Sequence, residues 1–154
     1  MKLSTREDIE APIAYVHEQV SDFASYERRA LRHGIDISRR AEGDAVVGTI
    51  WDIAFAFRGR ARKVQAELTK LEPEQVIEIE CQSDGLVGTS QIELVALSAT
   101  RTRIMVSFDL RAKTLTARVL LQSLKLARST MHKRFQARVL DYAENVEDAY
   151  RRGL

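Results

Sequence analysis

Cysteine occurs once in the 154 residues, at Cys81, which excludes an intrachain disulfide and any cysteine-cluster zinc site. Prolines number two, Pro12 and Pro73, and the seven glycines follow no period. With 45% apolar residues, that composition excludes a collagen-like or largely disordered chain. No window approaches the roughly 18 uninterrupted apolar residues of a membrane-spanning helix. The opening stretch from Met1 to Glu7 has no apolar core, so a secretory signal is not expected and a reducing cytoplasm is the expected setting. The histidines are His17, His33 and His132, scattered and without HxxxH or HExxH spacing, so no metal site is expected. Gly-x-Ser-x-Gly, phosphate-loop and dinucleotide motifs are absent, and no cofactor is expected.

What is present reads as one domain spanning 1–154, a length near the commonest for a single core. Leu3, Thr5, Glu7 and Ile9 alternate with polar residues as a half-buried first strand. Pro12 is suited to the first position of a helix carrying Ile13, Val16 and Val20 on one face. Ser21-Asp22 caps a second short helix with Phe23, Tyr26, Ala30 and Leu31, which His33-Gly34 ends. Strands at 35–40, 46–57, about 60–68, 76–82, 86–97 and about 104–110 follow, joined by short turns in the manner of an antiparallel meander. After Thr114 the apolar period lengthens to 3.6. Ala117, Leu120, Leu121, Leu124, Ala127, Met131, Phe135, Val139, Tyr142 and Val146 then make one stripe, uninterrupted by glycine or proline, which predicts a single long helix.

The run Ile9-Glu10-Ala11-Pro12 leading to Val20-Ser21-Asp22-Phe23-Ala24-Ser25-Tyr26, and the turn Leu71-Glu72-Pro73-Glu74, resemble the START-like superfamily. This is the helix-grip group of lipid-transfer, polyketide-cyclase and Bet v 1-type proteins. The resemblance covers essentially the whole chain and rests mostly on element order; Glu27-Arg28-Arg29 stands where relatives often carry a tryptophan. It implies an α+β helix-grip fold: a curved antiparallel sheet of about seven strands around a long C-terminal helix, with two short helices after strand 1. It also implies an apolar hollow between sheet and helix that serves ligand carriage, cyclisation or partner binding.

Trp51, Phe55, Ile79, Ile92 and Phe108 are expected to face the long helix, together with Leu120, Leu124, Met131 and Phe135. Such residues serve equally as plain core filling or as the walls of a pocket, where Met131 would be an adaptable lining. Ser90 shares its face with Ile92 and Leu94, and Arg62 with Val64 and Ala66. A hydroxyl or guanidinium placed there needs a partner, and either could hold the polar end of a ligand. Cys81, beside Glu78 and Glu80, reads as a small buried hydrophobe with a raised thiol pKa rather than a nucleophile.

Net charge is only +2, but its distribution is uneven. No acid lies between Asp109 and Asp141, an interval that holds Arg111, Lys113, Arg118, Lys125, Arg128, Lys133, Arg134 and Arg138. A second cluster is Arg58, Arg60, Arg62 and Lys63. These are either a solvated face or, through Arg118, Lys125 and Arg134, a site for an anionic partner such as a membrane surface or ribosome; no aromatics accompany them to stack on bases. The leading functional expectation is a binder of a small hydrophobic molecule: a lipid, quinone or polyketide-like ring. An interaction protein on an anionic partner comes next. A cyclase or dehydratase comes last, with only Arg62, Ser90 and His132 eligible for chemistry.

Overall fold

The computed structural model describes residues 1–153. Strand β1 (Lys2–Ile9) leads into helices α1 (Ile13–Val20) and α2 (Phe23–Arg32). Strands β2 (Asp36–Arg39), β3 (Ile50–Phe57), β4 (Arg60–Glu72), β5 (Val76–Ser83), β6 (Leu86–Ser98) and β7 (Arg101–Ala112) follow, then helices α3 (Leu115–Leu126) and α4 (Arg128–Arg151). The seven strands form one antiparallel sheet in the order β1-β7-β6-β5-β4-β3-β2. β2 to β7 is therefore a plain meander, and β1 closes onto β7. The turns explain the tight hairpins. Arg58-Gly59 and Asp84-Gly85 both hold positive φ at each central residue, the type I′ geometry whose twist matches that of paired strands.

The core fills one end of the sheet. Ile9, Val16, Val20, Phe23, Trp51, Leu68, Ile77, Leu94, Ile104, Ala143 and Val146 are all buried there, drawn from both short helices, the sheet and the C-terminal half of α4. Asp22 caps α2 by accepting from the Ser25 amide at 3.2 Å, and Thr114 caps α3 by accepting from Ala117 at 3.1 Å. Within this end lies a pair of half-buried phenols. The Tyr26 hydroxyl donates to the Val20 carbonyl at 2.8 Å, so the Tyr142 hydroxyl, 3.4 Å away, is the donor to Tyr26. Burial pushes the Tyr142 phenol well above its ordinary range, and Tyr26 adds to the shift. The folded chain thus keeps this proton after the unfolded chain has released it. The stability that this phenol contributes is complete below about pH 10 and declines as pH rises beyond it. Tyr142→Phe is expected to flatten that alkaline decline, read as urea midpoints between about pH 8 and 11; an unchanged slope would remove the assignment.

Two expectations need correction. The strand expected from Val46 starts at Ile50, because Gly48 takes φ +98° and the Thr49 amide turns back onto the Val46 carbonyl at 2.9 Å. The single long helix is two helices. Ala127, at φ −101° and ψ 12°, leaves the helical region, and its amide bonds Leu124 O in a tighter three-residue turn. Alanine is the best helix former, so nothing local dictates this break. Tertiary contacts do: Arg128 Nη2 donates to Lys2 O at 2.9 Å and His132 Nε2 to Ser4 O at 3.1 Å. A helix rises about 6 Å over four residues and a strand about 6.7 Å over two, so this pairing fits α4 along β1. Glu147 completes the alignment by accepting from the Glu10 amide at 2.8 Å. Arg134 is consequently on a different helix from Arg118 and Lys125.

Candidate ligand cavity

Alternation fixes which side chains face the helices. In register, Trp51 lies opposite Ala66, Ile53 opposite Val64 and Phe55 opposite Arg62; Asp52 and Ala54 take the other face. Asp52 is exposed there and paired with Arg40, whose guanidinium holds the carboxyl below its usual range. Toward the tips of the β3–β4 and β5–β6 hairpins the sheet is covered only by α3. A cavity of about 330 Å³ remains between them. Its apolar walls are Phe55, Phe57, Val64, Leu86, Phe108 and Leu110 from the sheet and Leu120 and Leu124 from α3, with Cys81 and Gly88 at its floor. The volume falls in the range of small-molecule sites. A larger hollow of about 780 Å³ has a mixed lining, with Asp36, Asp52, Lys63 and Lys113 beside Ile37, Ile53, Val64 and Val87. The smaller cavity is the more uniformly apolar of the two, so it is the candidate site for an apolar molecule.

Two charged residues border the small cavity, the exposed Asp84 and the more deeply set Arg62. Arg62 is half buried, and its Nε is fully shielded from solvent with no hydrogen-bond partner in the protein. Among the neighbouring polar groups, Gln82 and Asp84 are exposed, Ser83 Oγ donates to Lys63 O at 2.6 Å, and burial, then Glu80, push the Cys81 thiol up. A protonated thiol is a weak nucleophile, so Cys81 acts as an apolar wall. Among the described residues, no group of three or more His, Cys, Asp or Glu is placed to hold a metal.

Phe55, Arg62, Phe108, Leu120 and Leu124 line the cavity. Trp51 lies in the core instead, 4% exposed, with its ring 5.6 Å from that of Phe23. Ile79 and Ile92 pack against the same core. Ser90 is half buried between Ile79 and Phe108 in the sheet register, and Met131 and Phe135 are half buried on α4 beyond the break. Phe57, Leu86, Gly88 and Leu110 extend the apolar lining, and each shares inward parity with a residue already singled out, which was the signal for them; Gln82, Ser83 and Asp84 at the β5–β6 tip add its polar border.

Gly88 has a specific reason. A Cβ there would meet Phe108 Cζ at 2.8 Å and Cε2 at 2.9 Å, so the ring lies directly over the glycine. Gly88→Ala is expected to push Phe108 into the cavity, destabilise by about 1–3 kcal/mol and reduce uptake of an apolar dye. A melt and a dye titration that both match the parent protein would show that the ring has room to move aside.

No family model matches the sequence, and no curated protein matches it. Solved structures do. The ZhuI aromatase/cyclase from Streptomyces sp. R1128 superposes with a TM-score of 0.62 at 16% identity, over 94% of this chain and 93% of that one. Norcoclaurine synthase from Thalictrum flavum, in complex with dopamine and hydroxybenzaldehyde, gives 0.60 at 16% identity over 92% of this chain and 87% of that one. Ara h 8.0201 gives 0.58 at 15% identity over 92% of this chain and 98% of that one. With its seven-stranded antiparallel sheet, the helix pair after β1 and the C-terminal helices, the chain has the helix-grip fold of the START-like proteins.

Proposed function

We propose that the protein binds one small, largely apolar molecule bearing an acidic or carbonyl oxygen, held in the cavity with that oxygen on Arg62. The observation that carries this reading is the buried, unpartnered Arg62 Nε at a cavity whose walls are largely apolar and whose other charged residue, Asp84, is exposed. A guanidinium N–H shielded from water and left without an acceptor is unfavourable in the empty protein and is relieved when a ligand oxygen arrives. About 330 Å³ suits a single ring system or a short acyl chain rather than a full diacyl lipid. The norcoclaurine synthase complex, with two small aromatics on a related fold, is consistent with ligands of this size.

Binding is favoured over acid–base catalysis because the three residues eligible for chemistry are apart. Arg62 lines the cavity, Ser90 is not among its lining residues, and His132 Nε2 is committed to Ser4 O. Native mass spectrometry of protein purified from its own host, followed by organic extraction, tests the reading. An acidic or carbonyl-bearing apolar molecule at near one-to-one stoichiometry supports it. If Leu124→Trp, which fills the cavity, leaves binding of decanoic acid and of the dye anilinonaphthalene sulfonate unchanged, the cavity is not the site.

A further inference from the structure

α3 is apolar on two opposite sides. Its inward arc, Ala117, Leu120, Leu121 and Leu124, packs on the sheet and cavity. Its outward arc carries Leu115, Val119 and Leu126, which are 78%, 67% and 90% exposed. At about 100° per residue these three fall within roughly 40° of one another, with Gln122 beside them. The ridge therefore runs the whole length of the helix, about 18 Å. Large apolar side chains exposed together on one line mark a contact surface rather than chance.

The surroundings choose the occupant. Arg118 and Lys125 project from one flank of the ridge, and Thr116 and Ser123 lie on the other. Lys113 precedes the helix, and Arg58, on the adjoining β3–β4 tip, donates to Ser123 Oγ at 3.2 Å with Arg60 next to it. No acid lies in α3 or within the first half of α4. Two copies packed through antiparallel α3 helices would set Arg118 and Lys125 of one against the same residues of the other. An apolar ridge with cations at its side is instead the pattern of a helix lying in a membrane interface.

We propose that the outer face of α3 seats the protein on an anionic lipid bilayer, with Leu115, Val119 and Leu126 entering the headgroup boundary and Arg118 and Lys125 facing lipid phosphates. The surface is independent of the cavity reading, because the ridge and the cavity wall are on opposite sides of the helix. The test is co-sedimentation with extruded vesicles of phosphatidylcholine alone or with phosphatidylglycerol. The parent protein is expected to sediment with the anionic vesicles, less so as salt rises. Leu115→Glu combined with Leu126→Glu is expected to lower partitioning at least roughly tenfold with an unchanged melting temperature, since both side chains are outside the core. Leu126→Gln provides a milder second variant. Arg118→Gln and Lys125→Gln are expected to lower partitioning roughly fivefold per charge and to flatten the salt dependence. Absence of sedimentation with anionic vesicles, or equal sedimentation of the double glutamate variant, overturns the proposal. So does a solution dimer that Leu126→Glu dissociates, which would assign the ridge to a second copy of the chain.

Discussion

Arg62→Met is expected to make the protein more stable and a poorer binder at once. The buried Nε without an acceptor is a standing penalty of about 1–3 kcal/mol in the ligand-free state. Methionine keeps much of the length of the arginine stem, fills irregular apolar space and needs no partner. A gain of about 1–2 kcal/mol would raise the melting temperature by roughly 2–8 °C for a chain of this size. The ligand loses its charge-assisted bond, about 1.5–3 kcal/mol, or roughly 10- to 150-fold in Kd. Calorimetric titration with decanoic acid and with decanol separates the effects. The variant is expected to lose affinity for the acid and keep it for the alcohol. A lower melting temperature together with undiminished preference for the acid would show that Arg62 serves the fold instead. The opposition of stability and binding is what a functional group held in a strained environment produces.

Trp51→Ala is expected to damage the fold more than any substitution at the cavity wall, and to say little about ligands. Trp51 is 4% exposed and lies against Phe23, with the Arg39 guanidinium 5.8 Å from its ring centre. Removing so large a buried ring costs about 3–5 kcal/mol, which corresponds to roughly 6–20 °C in melting temperature. Trp51 is the only tryptophan, so the loss has to be followed by far-ultraviolet circular dichroism rather than indole fluorescence. Phe108→Ala, at a wall that already borders a hollow, provides the contrast. It is expected to destabilise less and to widen ligand acceptance, read as binding of a bulkier dye. Equal destabilisation by the two substitutions would mean that the cavity closes in solution and that Phe108 is core.

These two positions also show how far the sequence carries. The face each residue occupies was legible, because a strand period of two cannot be misread once the turns at Arg58-Gly59 and Asp84-Gly85 are recognised. The order of elements and the Asp22 cap were legible for the same local reasons. Position along the face was not. Trp51 and Phe55 have the same parity, yet about 13 Å of strand separates them. That distance takes the chain from an end packed by α1, α2 and the far half of α4 to an end roofed by α3 alone. The break at Ala127 was hidden too, since an unbroken 3.6 period and a helix-favouring alanine point the other way. Its cause is on β1, more than a hundred residues away in the chain, where the carbonyls of Lys2 and Ser4 await donors.

The contact between α4 and β1 also bears on solubility. An antiparallel sheet that does not close into a barrel leaves two rows of unused backbone groups, each an invitation to a strand from another molecule. On β1 three of these groups, the carbonyls of Lys2 and Ser4 and the amide of Glu10, are taken by side chains of α4. On the opposite border β2 runs for only four residues, between the charged Asp36 and Arg39. The C-terminal helix is thus a guard against polymerisation as well as a roof for the core. A chain shortened before Arg128 would lose that guard and is expected to form strand-linked aggregates even where its sheet still assembles.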